Sequence, residues 1–232
     1  MRVIAHRGFG DEYPENTVYA ARESARRADC VELDVRRCGS GELVISHFQR
    51  LFWTTDDFAR VNQRSAAELE SLGVDGSSYG VPRLDDALDV IPPDVCVELD
   101  LKEPGVVEDV LALTDEIPND VVLTSFYSDV LWEAQSMDES VTLAYNFDVR
   151  VERNLTTARL LDCGRVNAHW SLCLGTDLVE RAREEGITVY AWPVRWRGVA
   201  FALGAAGIEG LVASHPGVAE WAKRGRRLRG GE

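Results

Sequence analysis

The chain has 232 residues, 45% hydrophobic and 28% charged, which suffices for a single domain around one sizeable core. Its formal net charge of −14 would repel a polyanion, which argues against nucleic-acid binding, and without an apolar run of about 18 residues it is not expected to be an integral membrane protein. The opening Met1-Arg2-Val3-Ile4-Ala5-His6 lacks the apolar stretch of a secretion signal, so a cytoplasmic protein is expected.

Short β-rich runs alternate with helical patterns from end to end. Hydrophobic period and punctuation predict strands at 2–5, 30–35, 94–101, 120–124, 141–146, 164–168, 187–192 and 208–213. Helices are predicted at 15–28, 105–116, 127–137, 151–162, 175–185, 197–205 and 216–223, several of them just after a proline. Such alternation implies parallel pairing. Residues 36–93 interrupt it as a long excursion with its own strand-like run at 42–46 and helical patches near 65–72 and 84–90. No glycine-rich dinucleotide fingerprint follows the first strand, and titratable residues gather at the carboxyl ends of several strands. That is where barrel enzymes place their chemistry, so the expected fold is a single-domain α/β (β/α)8 TIM barrel over 1–223, followed by a basic flexible tail at 224–232.

Five cysteines, Cys30, Cys38, Cys96, Cys163 and Cys173, form no CxxC pair, and buried reduced thiols are expected rather than a zinc site or a disulfide framework. Of the 25 basic residues only Lys102 and Lys223 are lysines, a usage resembling acidic proteins adapted to high salt. A lysine inside an alternating strand of such a chain points to a need for ammonium, and Lys102 is that residue.

The first strand runs into His6-Arg7-Gly8, followed by Pro14-Glu15-Asn16-Thr17. Histidine moves protons near neutral pH, arginine forks onto phosphate oxygens and glycine lets a ligand approach the backbone. In Cys30-Val31-Glu32-Leu33-Asp34-Val35 the period of two puts Glu32 and Asp34 on one face. Two such anions need compensation, either from a hard divalent cation, Mg2+ or Ca2+, or from arginines on neighbouring strands. The next strand places Glu98, Asp100 and Lys102 on one face, with Asp100 nearest the level of Glu32 and Asp34. Glu98 lies deeper, as a structural acid or a further ligand. A second histidine, His47, ends the run Val44-Ile45-Ser46, and two histidines suit a reaction needing one proton acceptor and one donor.

These features resemble the glycerophosphodiester phosphodiesterase family. The resemblance rests on His6-Arg7-Gly8, Pro14-Glu15-Asn16-Thr17, Glu32-Leu33-Asp34, His47-Phe48 and Asp100-Leu101-Lys102 in order, and spans about residues 3–220. Thr54-Thr55, Pro82-Arg83-Leu84-Asp85-Asp86, Ser125-Phe126 and Val189-Tyr190-Ala191-Trp192 add to it. It implies a metal-dependent hydrolase that converts glycerophosphodiesters to glycerol phosphate and an alcohol. His6 and His47 would be the acid–base pair, and Glu32, Asp34 and Asp100 the ligands of Mg2+ or Ca2+. Arg7 and Lys102 would contact phosphate, and Trp192 would line the pocket. The chain departs from the family pattern at Phe48, usually Asp, at Asp100, usually Glu, at Pro193-Val194-Arg195 after the tryptophan, and at Ala213-Ser214-His215. These lie at pocket edges and imply altered substrate preference, with Arg195 as a second anion contact.

Two other readings keep the barrel. One is a lyase or phospholipase acting on phospholipid head groups, for which Phe48, Leu51, Phe52 and Trp53 are the candidate apolar surface. The other is a barrel that has lost catalysis and only binds phosphodiesters.

Overall fold

The structure, a computed structural model, describes residues 1–230. In chain order the elements are β1 (Arg2–Ala5), α1 (Val18–Ala25), β2 (Cys30–Arg37), β3 (Leu43–Ile45), α2 (Ala66–Glu70), α3 (Leu84–Leu88), β4 (Cys96–Leu101), α4 (Val107–Thr114), β5 (Val121–Ser125) and α5 (Ser128–Met137). They continue with β6 (Thr142–Phe147), α6 (Val151–Leu160), β7 (Arg165–His169), α7 (Trp170–Gly175), α8 (Leu178–Glu184), β8 (Thr188–Val194), α9 (Arg197–Ala206), β9 (Gly210–Ala213) and α10 (Val218–Gly230).

Eight of the strands pair in parallel in the order β1-β9-β8-β7-β6-β5-β4-β2, and β1 also pairs with β2, which closes the sheet. The chain is therefore a TIM barrel, as its strand–helix alternation predicts. Side-chain alternation sorts each strand. Val31, Leu33 and Val35 of β2 and Val97, Leu99 and Leu101 of β4 point outward into the main hydrophobic core beneath the helices. The opposite faces point into the barrel. Ile4, Cys30, Cys96, Tyr190 and Val212 close its amino-terminal end with apolar packing.

Cys30 and Cys96 correct an expectation. Register places them opposite one another on β2 and β4, with 4.3 Å between their Cα atoms, and they are joined as a disulfide. Spacing rules that look for nearby cysteines miss a pair separated by 66 residues and brought together by strand register. Cys38, Cys163 and Cys173 are free and buried, as expected.

The excursion folds back on β2. Its strand β3 pairs antiparallel with β2, and Val44, Leu51, Val61, Leu69 and Val81 form a small separate core. The first helix starts later than predicted because Asn16 adopts a left-handed conformation (φ 52°), and Thr17 caps α1 by accepting from the Ala20 amide at 3.1 Å. The helix predicted at 175–185 is α8, and the short α7 ahead of it, which the pattern does not predict, is separated from it where Thr176 is extended. The last helix runs on through Gly230, across most of the stretch expected as a flexible tail, whose last two positions lie outside the described residues. No helix among the described residues is long and apolar enough to cross a membrane.

Candidate active site

At the carboxyl ends of the strands lies a cavity of about 250 Å³ whose lining includes His6, Arg7, Glu32, His47, Asp100, Lys102 and Trp192. Asp34, the remaining predicted site residue, is 1% exposed and sits directly behind them. All eight predicted site residues thus converge.

Strained backbone sets the His6-Arg7-Gly8 segment. Arg7 (φ 53°), Gly8 (φ 72°) and Phe9 (φ 62°) are all left-handed. At Gly8 a Cβ would stand 2.7 Å from the Ala20 side chain, so only glycine lets the turn lie against α1. The turn is held by the Arg7 amide donating to Glu32 Oε2 at 2.7 Å and the Asn16 amide donating to the Arg7 carbonyl at 3.1 Å. Asn16 also grips Asp34 twice: its Nδ2 donates to Oδ2 at 2.8 Å, and its Oδ1 accepts the Asp34 amide at 3.2 Å. The Arg7 guanidinium is aimed by Glu15 at 2.9 Å and Asp34 at 3.2 Å.

Three carboxylates follow from β2 and β4 lying in register, Asp34 beside Asp100. Glu32, Asp34 and Asp100 each present an oxygen within 4.8 Å of the others. Lys102 Nζ lies 2.8 Å from Asp34 Oδ1 and also binds Asp100, while Asp100 Oδ1 is buried without a hydrogen-bond partner. An all-oxygen donor set with one buried acceptor unused fits a hard divalent cation.

Electrostatics split the three acids. Burial, reinforced by Asp34 and Asp100, pushes the Glu32 carboxyl well above its ordinary range. For Asp34 burial pushes upward, but Lys102, Arg7 and His47 outweigh it and hold the carboxyl well below. Burial raises Asp100 despite Lys102. For Lys102 burial works against the charge, yet Asp100, Asp34 and Glu32 together raise its pKa.

The histidines have different partners. His6 Nδ1 faces the Ser214 hydroxyl at 3.2 Å, and burial together with the neighbouring Arg7 cation lowers its pKa well below the ordinary value. His47 Nδ1 faces Asp34 Oδ1 at 3.2 Å. Phe48, where the family pattern has an acid, stands edge-on to His47 at 4.6 Å and lies 5.8 Å from the Arg7 guanidinium carbon. The Trp192 indole donates to the Asn167 carbonyl at 3.0 Å and meets Phe126 edge to face at 5.1 Å, forming an aromatic wall. Arg195, expected as a second anion contact, instead pairs with Asp11 at 3.3 Å and is absent from the cavity lining. Sequence reasoning gave no role to Asn16, Ser214, Thr124, Asn146 or Asn167. The readable signal for the last three was a polar residue at an inward position of an otherwise apolar strand.

A TIM barrel with these groups at its carboxyl end is a phosphoric diester hydrolase. The chain belongs to the glycerophosphoryl diester phosphodiesterase family, whose sequence model matches residues 6–218. It is 24% identical to a glycerophosphodiester phosphodiesterase of Caldanaerobacter subterraneus, over 92% of this chain and 94% of that one. It is also 24% identical to glycerophosphodiester phosphodiesterase 1 of Bos taurus, over 84% of this chain and 72% of the relative. Among solved structures, an Oleispira antarctica phosphodiesterase in complex with the product sn-glycerol-3-phosphate superposes with a TM-score of 0.88, at 24% identity over 96% of each chain. A glycerophosphodiester phosphodiesterase from Thermotoga maritima does so with a TM-score of 0.82, at 21% identity over 96% of this chain and 97% of that one.

Proposed function

We propose that this chain hydrolyses glycerophosphodiesters to glycerol phosphate and a free alcohol, with Glu32, Asp34 and Asp100 holding Mg2+ or Ca2+ and with His6 and His47 moving the protons. The observation that carries the reading is the convergence of two histidines, three carboxylates, Arg7 and Lys102 on one cavity. The bound cation would polarise the phosphoryl group and offset its charge. Arg7 and Lys102 orient the phosphate and stabilise the negative charge that builds on its oxygens.

His6 lies beside the Arg7 cation and its Nδ1 faces only a hydroxyl, so it rests neutral and suits proton acceptance from the attacking water. His47 has the Asp34 carboxylate at Nδ1, which orients its ring to pass a proton to the departing alkoxide. Water adds to phosphorus, the P–O bond to the alcohol breaks, and one proton is taken as another is given. Trp192 and Phe126 wall the pocket and limit water access.

Glycerophosphoethanolamine and glycerophosphocholine assayed with Mg2+, with Ca2+ and with EDTA test this reading. Release of glycerol phosphate and alcohol that EDTA abolishes is expected; no release from any such diester with either cation overturns it. Lipid-derived diesters are a second reading, favoured by an aromatic run at the mouth. Phe48 meets Trp53 at 5.7 Å, Trp53 meets Phe52 at 4.7 Å, and Trp53 and Phe58 are 61% and 82% exposed. Lysophospholipids in the same assay separate the two.

A further inference from the structure

Beside the phosphate site lies a second cavity of about 420 Å³, which shares Phe126, Asn146 and Asp148 with the first. The start of α6 forms part of its wall and brings Arg150 and Arg153 to it. Neither the proton transfers nor the phosphate contacts use these two arginines.

Both lack an acid partner among the described residues, and neither is a residue with a further interaction. The other arginines nearby in the chain are matched: Arg159 with Glu185 at 3.5 Å, Arg165 with Glu98 at 2.5 Å and Arg183 with Glu209 at 3.8 Å. Glu152, the acid that lies between the two in sequence, is drawn away to Arg181 at 2.5 Å. The placement of the pair is fixed from below. Arg150 is left-handed (φ 53°), a conformation costly for a residue with a Cβ, and Asn154 holds it there. The Asn154 amide donates to the Arg150 carbonyl at 3.1 Å, and its Nδ2 donates to the Val149 carbonyl at 2.6 Å. Arg153 stands near the Tyr145 phenol on the same wall: burial raises the pKa of that hydroxyl, and the Arg153 charge pulls against it.

The acid in the lining is Asp148, where the two cavities join. One carboxylate against two guanidinium groups leaves the chamber a surplus of positive charge, in a chain whose formal net charge is −14. A diester gripped at its phosphate extends an arm on either side, and this chamber is room for one of them. A carboxylate or phosphate on that arm would meet guanidinium groups, which fork onto such oxygens, whereas an ammonium would meet like charge.

We propose that the second cavity receives the alcohol half of the substrate and that Arg150 and Arg153 select alcohols carrying an anion of their own, a carboxylate or a phosphate. The proposal rests on the phosphodiesterase reading above. Its test compares sn-glycero-3-phosphoserine with sn-glycero-3-phosphoethanolamine, which differ by one carboxylate, in steady-state release of glycerol phosphate by wild type, Arg150→Gln, Arg153→Gln and the double variant. The wild type is expected to favour the serine diester by at least about tenfold in kcat/KM, with the difference in KM, because the carboxylate gains charge-assisted hydrogen bonds. Each single variant should lower the ratio and the double variant bring it close to one. Arg153→Glu should take it below one, since a carboxylate at that position repels the serine diester.

A wild type without the preference, a double variant that keeps it, losses that fall equally on both diesters, or a ratio unmoved by charge reversal overturn the proposal. A wild type that splits neither diester with Mg2+ or Ca2+ defeats the phosphodiesterase reading instead, which keeps the two failures apart.

Discussion

Replacing Lys102 by Met probes the charge balance of the site directly. Lys102 Nζ is shared between Asp34, at 2.8 Å, and Asp100, and its side chain is 9% exposed. Methionine fills a similar volume but leaves the three carboxylates with Arg7 as the remaining close cation. Breaking a buried ion pair by removing one partner costs about 3–5 kcal/mol. For a domain of this size each kcal/mol moves Tm by about 2–4 °C, so the variant should melt about 6–20 °C below wild type in EDTA. A cation bound at about 100 times its Kd adds about 2.7 kcal/mol, so saturating Mg2+ or Ca2+ should restore part of the loss and raise the variant's Tm more than the wild type's. Thermal unfolding by circular dichroism in EDTA and in each cation reads both effects. A variant that melts within about 2 °C of wild type in EDTA would refute the view that Lys102 compensates these carboxylates.

Glu32→Gln should move stability the other way. An acid whose folded pKa is raised destabilises the fold once pH exceeds its unfolded value, so in EDTA at neutral pH the variant should melt higher than wild type, with the gain vanishing at acidic pH. It should also lose cation binding, measured by calorimetry. His47→Ala should lower kcat about 10²–10⁴-fold on diesters of alkyl alcohols and far less on p-nitrophenyl esters, whose leaving group needs no proton, whereas His6→Ala should lose comparably on both. Replacing Cys30 and Cys96 together by Ala removes a crosslink spanning 66 residues and should lower stability by up to about 4 kcal/mol, read as a drop in the denaturant midpoint; an unchanged midpoint would refute a stabilising crosslink.

The carboxylate ring was legible in the sequence because a strand has a period of two: Glu32 and Asp34, or Asp100 and Lys102, must share a face wherever the strand lies. Barrel closure brings the two strands together and the ring follows. Asn16 was not legible in this way. Its function depends on a left-handed backbone and on the end of β2 being within reach, and neither has a local pattern. The cysteine pair escaped for the same reason, since register joins residues that spacing keeps apart. Arg195 shows the opposite failure: an arginine near an expected anion site reads as a ligand until a closer acid, Asp11, claims it. The buried amides lay between these cases, because Asn146 and Asn167 sit visibly inside apolar strands, but how they are turned is decided by Glu98, two strands away from Asn146.

Along its axis the barrel interior passes from an apolar plug with a crosslink, through amides steadied by the Glu98–Arg165 ion pair, to a ring of carboxylates. These strata make the enzyme modular in depth. The middle tier is held by hydrogen bonds among its own side chains, so it can be recut while the ring above keeps its charges. Support and reactivity would then evolve on separate storeys of one scaffold.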